Sequence, residues 1–433
     1  MPEGRAWRLL HFGRAVGELA AGAAAEGAAR LVRGERPDLT ALMLSPGNAR
    51  RLAQRLSQMR GAVMKVGQLL SMDGQGVLPP HFAELLGGLR DRAHTMPASQ
   101  LAEVLAREYG PQWHRRFRRL SFEPVAAASI GQVHRAETHD GRVLALKIQY
   151  PGVRRSIASD MANLALLART PGLVPAGLDP GAVPALLARA QVQLEHETDY
   201  RSEARATLAY REALGPDPVL TVPAVVPEHC TDHVIATEFF PGVPVDRLAH
   251  DGTPQDRRDQ VAAALSRLAV HEFFRMRLVQ TDPNFGNYLF DTATGRIALI
   301  DFGAMQAVPD ERVEQLRELG RALRADDIAR LERASDAAGF TDPADAPDQR
   351  RGVIALMRLA SEPLRHPGPY DFGASTLVAR SFDQGREQFF RAGYARTPPP
   401  DLLFLQRKFA GTFLLCARLR ARVDLAEVFG REL

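Results

Sequence analysis

The chain has 433 residues, 45% of them hydrophobic and 24% charged, with 55 basic against 51 acidic side chains and a formal net charge of +4. That balance excludes a disordered, collagen-like or disulfide-scaffold protein. A small positive excess spread over the whole length leaves no electrostatic footprint for nucleic acid, so no nucleic-acid partner is expected. Residues 1–120 read as a helical extension. In it Leu52, Leu56, Met59, Val63, Val66 and Leu70 recur every three or four positions, as on the face of a packed helix. Pro79-Pro80 breaks that pattern, and Pro97 with Ser99 starts a helix over about 99–108. Residues 121–240 change to strand alternation. A short strand and an alanine run come first, then two extended runs joined at Asp140-Gly141, a dipeptide suited to positive φ angles. A helical region over 182–212 and strands near 219–226 and 233–240 follow. Residues 241–433 read as helical, with Val261, Leu265, Leu268, Val270 and Phe273 as a buried face. Short strands at 288–290 and 296–300 flank a turn built on Asp291 and Gly295, and the class is α+β.

Two cysteines, Cys230 and Cys416, lie far apart with no CxxC pair, which points to a reducing cytoplasm rather than a disulfide framework. Arg14, Glu18 and Glu26 interrupt the apolar run that a signal peptide needs, and no stretch of eighteen apolar residues occurs. Gly13 and Gly17 form a GxxxG within a basic amphipathic stretch. Alanine- and glycine-rich helices often carry this spacing without a membrane role, and a peripheral membrane contact stands as the alternative.

Among the 55 basic residues only Lys65, Lys147 and Lys408 are lysine. Where any cation serves, this chain uses arginine, so the three lysines are candidates for places that need a compact ammonium rather than a planar guanidinium; GC codon bias explains the arginine excess, and chance retention of each lysine is the alternative.

The strongest constellation is Thr281-Asp282-Pro283-Asn284-Phe285-Gly286-Asn287 followed by Ile300-Asp301-Phe302-Gly303. An aspartate, an asparagine five residues on, a short hairpin and then DFG reproduce the spacing of the phosphoryl-transfer loop of protein kinases. The hairpin returns the chain so that Asn287 and Asp301 converge on Mg2+ while Asp282 faces the nucleophile. Upstream, Val143-Leu144-Ala145-Leu146-Lys147 places a lysine on a strand where kinases contact the α- and β-phosphates; taken alone, such a lysine is more often one that snorkels from a sheet edge. Where a kinase carries GxGxxG, this chain has Ala126-Ala127-Ala128-Ser129-Ile130-Gly131, and alanine permits less approach of the backbone to phosphate.

These residues resemble the UbiB or AarF-domain family of atypical protein-kinase-like proteins. Lys65-Val66-Gly67-Gln68 matches the KxGQ signature, AAASIGQVH at 126–134 the alanine-rich loop, and Glu197-Thr198-Asp199 with Tyr200 and Glu203 the ExD region. The resemblance implies a bilobed protein-kinase-like fold. Residues 1–120 would form the helical extension carrying KxGQ, 121–240 the N-lobe with inserted helices, and 241–433 a helical C-lobe. It also implies binding of ATP or ADP with Mg2+, and a role supporting ubiquinone or related isoprenoid-lipid metabolism, with an isoprenoid lipid or quinone precursor as partner. The activity would be that of an ATPase or small-molecule kinase; the alternative is a pseudokinase acting as a nucleotide-gated lipid chaperone or scaffold. An ordinary serine/threonine protein kinase is disfavoured by the missing glycine loop and by KxGQ.

Carried over by residue, Asp282, Lys147 and Glu203 are the catalytic candidates, with Lys147 pairing Glu203. Nucleotide would meet Ala126, Ala127, Ala128, Ser129, Lys147 and a hinge containing Glu238 and Phe240. Asn287 and Asp301 are the metal candidates. Lys65, Gln68, Glu197 and Asp199 are the regulatory set, with Lys65 reaching the Glu197 and Asp199 region. On one continuous helix Asp199 and Glu203 share a face and Glu197 points elsewhere. The loop reads DPNFGN where the family has DPHPGN, and no C-terminal membrane span follows, unlike some bacterial relatives.

Overall fold

The computed structural model describes residues 59, 61–63, 65–66, 96–168, 182–250, 252–282, 284–388 and 399–433. Gln68, Pro79-Pro80, the Gly13 and Gly17 pair and much of the 52–70 stripe lie outside them. The chain divides into two compact units: residues 1–203 with 225–239, and 204–224 with 240–433.

The first unit is organised by the strand Val143–Gln149. Leu144, Leu146 and Ile148 are fully buried and share a core with Leu101, Val104 and Leu105 of the helix Ala98–Tyr109. Side chains alternate across a strand, so Lys147 is carried on the other face. The strand pairs antiparallel with Gly131–Glu137 on one side and Val234–Glu238 on the other. Lys147 is therefore interior to its sheet and does not snorkel from an edge. Arg119–Leu120 and Ala126–Ala127 both pair antiparallel with Gly131–Glu137. At the 138–142 turn Gly141 alone takes a positive φ, 86°, and Asp140 does not.

The helical region over 182–212 consists of two helices, Ala182–Glu197 and Tyr200–Leu214. Thr198 Oγ1 donates to Glu195 O at 2.6 Å, and Gln149 Nε2 donates to Thr198 O at 3.1 Å. Asp199 Oδ1 accepts from Ser202 N at 2.9 Å and so caps the second helix. A further helix, Val153–Ala168, precedes these.

The second unit has its own core. Val261, Leu265, Leu268, Val270 and Phe273, the face expected from periodicity, are all buried there. The helix Gln255–His271 runs into a wider π-type turn, Glu272–Met276, which ends at Arg277 with φ 54°. The strand Leu278–Gln280 then pairs with Met305–Ala307, a strand that the sequence pattern did not reveal. Tyr288–Phe290 pairs antiparallel with Ile297–Leu299, which in turn pairs parallel with Leu220–Thr221. Gly295, at φ 74°, closes the turn by donating to Asp291 O at 2.8 Å. Helices Asp310–Ala325, Ile328–Ala338, Pro347–Ala360 and Pro400–Arg418 form most of the remainder.

Candidate functional site

In the first unit, the break between the helices Ala182–Glu197 and Tyr200–Leu214 decides where the acidic residues point. Glu203 lies in the first turn of the second helix, and its Oε1 accepts from Lys147 Nζ at 2.7 Å. The ammonium also sits over the Tyr200 ring, 5.4 Å from its centroid. Glu203 is 4% exposed and Lys147 16%, so the charges are paired in a largely dry setting.

Glu197 ends the first helix, and its carboxylate is shared. Oε1 is 2.5 Å from Lys65 Nζ, and Oε2 accepts from Ser129 Oγ at 2.8 Å. The expectation from a continuous helix placed Glu197 apart from this group; because the helix stops there, Glu197 is the residue that meets Lys65. The same stretch packs closely on the alanine-rich loop, since a Cβ on Gly61 would lie 3.0 Å from Ser129 O.

Ala126 and Ala127 are exposed and lie in a two-residue strand opposite Val133 and Gln132. Ala128 N donates to Gly131 O at 2.9 Å. None of these alanines has a positive φ. Gly131 is different: a Cβ there would lie 2.4 Å from Ile148 O and 2.9 Å from the Tyr200 hydroxyl, so only glycine fits. Gln132 and His134 are buried. His134 Nδ1 donates to Ser121 O, its Nε2 accepts from Gln132 Nε2, and Gln132 Oε1 accepts from Met96 N. Burial holds the His134 pKa below the ordinary imidazole value.

The strand expected over 233–240 runs from Val234 to Glu238. Glu238 is exposed opposite Leu144, and Phe239 N donates to Val143 O at 2.8 Å. The division between units falls between Phe239 and Phe240.

In the second unit, Thr281 N donates to Ala304 O at 2.9 Å, fixing the start of the loop beside the segment after DFG. Asn284 Oδ1 accepts from Gly286 N at 3.0 Å, and Asn287 N donates to Asn284 O at 3.0 Å. Asn284 thus makes the turn that the substituted DPNFGN sequence needs. Asn287 is buried, its Nδ2 donates to Asp282 O at 3.5 Å, and its carbonyl accepts from Ile300 N at 3.0 Å. That last bond joins the Asn287 segment to the residue before Asp301. Asp301 Oδ1 accepts from Gly303 N at 3.0 Å.

A kinase-type lysine and glutamate pair, a DxxxxN loop and a DFG segment thus stand on the expected elements, and the family model for the ABC1 atypical kinase-like domain matches residues 88–335. The chain belongs to the ABC1 atypical kinase-like family. It is 36% identical to the rat mitochondrial atypical kinase COQ8B over 99% of this chain and 80% of that protein. It is 33% identical to the mitochondrial atypical kinase COQ8 of Saccharomyces cerevisiae, over 99% of this chain and 85% of that protein. Among solved structures it is similar to Rv3197 of Mycobacterium tuberculosis in its erythromycin complex, with a TM-score of 0.61 and 27% identity, covering 90% of this chain and 96% of that one. The fold is a bilobed protein-kinase-like one, as expected.

The ABC1 match contains Ala126 to Ser129, Lys147, Glu197 to Glu203, Asp282, Asn287 and Asp301, whereas Lys65 and Lys408 lie outside it. The two metal candidates would offer an Asp301 carboxylate and an Asn287 amide oxygen. These hard oxygen ligands fit Mg2+, which takes one or two protein groups and completes its shell with phosphate and water. Among the described residues no group of three His, Cys, Asp or Glu clusters to hold a metal by itself. No helix among them is long and apolar enough to cross a membrane.

The third lysine is the member that motif reading left without a role. Lys408, on the helix Pro400–Arg418, is buried with its Nζ 2.6 Å from Glu272 Oε2. Burial works against the Lys408 ammonium, but Glu272 and Tyr288 together more than offset it, so the pKa stands above the ordinary lysine value. Each of the three lysines is thus withdrawn from solvent and paired with a glutamate. The scarcity of lysine was the available signal for Lys408.

Proposed function

We propose that this chain is an atypical kinase-type ATPase or small-molecule kinase that binds ATP or ADP with Mg2+ and supports ubiquinone or related isoprenoid-lipid metabolism. The observation that carries the reading is the Lys147 and Glu203 pair at 2.7 Å on the face of the sheet opposite its apolar core. Glu203 holds the ammonium in place, and Lys147 serves the α- and β-phosphates as a point charge. Asn287 and Asp301 hold the metal, which when bound neutralises phosphate charge. Asp282 accepts the proton of the acceptor hydroxyl. Ala126 to Ser129 line the nucleotide, and Glu238 and Phe240 belong to the adenine hinge. Lys65, Gln68, Glu197 and Asp199 regulate access. We assign residues 1–120, 121–240 and 241–433 to the extension, N-lobe and C-lobe. The lipid role rests on the likeness to the UbiB family and to COQ8 atypical kinases. We place the chain in the cytoplasm, with a peripheral membrane contact through the stretch around Gly13 and Gly17 as the alternative.

A second reading, a nucleotide-gated scaffold without turnover, is favoured by the alanine-rich loop, whose Ala126 and Ala127 are committed to a strand rather than to a flexible phosphate cradle. ATP turnover by the purified protein, with and without anionic liposomes and a phenol resembling a quinone precursor, separates the two. Stimulated turnover supports the enzyme; Mg2+-dependent binding without turnover in any condition supports the scaffold.

A further inference from the structure

Lys408 makes three contacts beneath the DxxxxN loop. Besides Glu272 Oε2 at 2.6 Å, its Nζ donates to Gln280 O at 3.2 Å and to the Tyr288 hydroxyl at 3.3 Å. The buried ammonium thus pairs its charge with one carboxylate and donates hydrogen bonds to two neutral oxygens. Gln280 and Tyr288 are the residues that bracket Thr281 to Asn287. Their side chains are joined as well, since the Tyr288 hydroxyl donates to Gln280 Oε1 at 3.4 Å. Glu272 is fixed from its other side by the Tyr210 hydroxyl, which donates to Oε1 at 2.5 Å. Glu272 also opens the π-type turn that leads into Leu278–Gln280. Such turns are uncommon inside helices and recur near functional sites.

We propose that Lys408 is a positioning residue for the metal loop, fixing the distance between the loop's two ends and thereby the presentation of Asn287. The inference rests on the nucleotide and Mg2+ reading above. A guanidinium could not replace this ammonium, because its planar fork is larger and its five donors would leave N–H groups buried without acceptors. That requirement accounts for a lysine on a helix whose other basic residues, Arg407 and Arg418, are arginine. A buried ion pair that served only the core would affect global stability and nothing else. A clamp affects the loop even when the core is repaired.

The test compares wild type, Lys408→Met, the double variant Lys408→Met/Glu272→Gln, and Tyr288→Phe. The double variant removes the stranded carboxylate and is expected to recover the melting temperature that the single variant loses. Two readouts follow the loop: amide exchange of residues 281–287 in the nucleotide-free protein, and the Mg2+ concentration that half-saturates nucleotide binding. In the double variant and in Tyr288→Phe, loop protection falls and the Mg2+ half-saturation rises, in the double variant by about tenfold. Nucleotide affinity without metal does not change. If Lys408→Met does not fold, Tyr288→Phe, which removes one acceptor and no charge, carries the test. Wild-type exchange and Mg2+ dependence in the folded variants would overturn the clamp while leaving the nucleotide reading intact. A wild-type protein with no Mg2+-dependent nucleotide affinity would overturn both.

Discussion

Lys65 Nζ and Glu197 Oε1 lie 2.5 Å apart across 132 positions of sequence, and the second oxygen of the same carboxylate accepts from Ser129 Oγ at 2.8 Å. One glutamate therefore ties the KxGQ signature to the alanine-rich loop. Glu197→Gln leaves a lysine only 3% exposed without its carboxylate. The expected cost is about 3 kcal/mol, the scale of breaking a buried pair from one side. The double variant Lys65→Met/Glu197→Gln recovers most of it. Urea unfolding checks both, and a Glu197→Gln protein as stable as wild type would contradict the assignment.

Lys147→Arg is expected to fold and to lose about tenfold in nucleotide affinity, although arginine serves almost everywhere else in this chain. The space between Glu203 Oε1 and the Tyr200 ring suits a compact ammonium. Calorimetric titration with ADP and ATP reads this directly, and unchanged affinities would refute it.

Gly131→Ala places a methyl 2.4 Å from the Ile148 carbonyl oxygen, which is backbone and cannot step aside. The sheet is expected to lose about 2 kcal/mol. Gly385, on the helix Leu377–Arg386, is the control: among the described residues a Cβ there meets only Leu356 Cδ2 at 3.8 Å, so alanine at that position stabilises by up to about 1 kcal/mol. Equal effects of the two substitutions in thermal melts would remove the steric account of the glycine in AAASIGQVH.

Acid should weaken the first unit through His134. Its Nδ1 must carry the proton donated to Ser121 O, and protonating Nε2 would aim it at the Gln132 amide that donates to it. Burial keeps the folded pKa below 6.5, so the unfolded chain binds the proton more readily. The stability contribution is complete above pH 6.5 and declines as pH falls below that value toward the folded pKa. Unfolding free energies measured from pH 8 to pH 5 should fall over the acid half of the range. A flat profile would show that His134 titrates alike in both states.

Much of this was legible in the sequence because it rests on local pattern. The alternation of 143–149, the buried face from Val261 to Phe273 and the turn at Asp291 and Gly295 follow from periods and turn chemistry that act over a few residues. The short strand Met305–Ala307 escaped because its pairing with Leu278–Gln280 supplies the order, and three residues carry no period. The resemblance put Lys65 near Glu197, as found, whereas helix period alone pointed Glu197 elsewhere for a similar reason. The LEHETDYRSE run looks like one helix, and the break at Thr198 depends on Gln149, 49 positions away. Lys408 was visible as a rare residue, but its contacts with Glu272, Gln280 and Tyr288 span more than a hundred positions, beyond any local rule.

The most direct test of nucleotide binding is an isothermal titration of ATP and ADP, with and without Mg2+, into wild type and Asp301→Asn. Asp301 supplies the one carboxylate of the assigned metal pair, and its segment is joined to Asn287 through Ile300 N at 3.0 Å. The account predicts saturable binding that Mg2+ strengthens in wild type, and loss of that Mg2+ dependence in Asp301→Asn at unchanged melting temperature. Binding that ignores Mg2+ in wild type, or an Asp301→Asn isotherm that matches wild type in Mg2+, would contradict it.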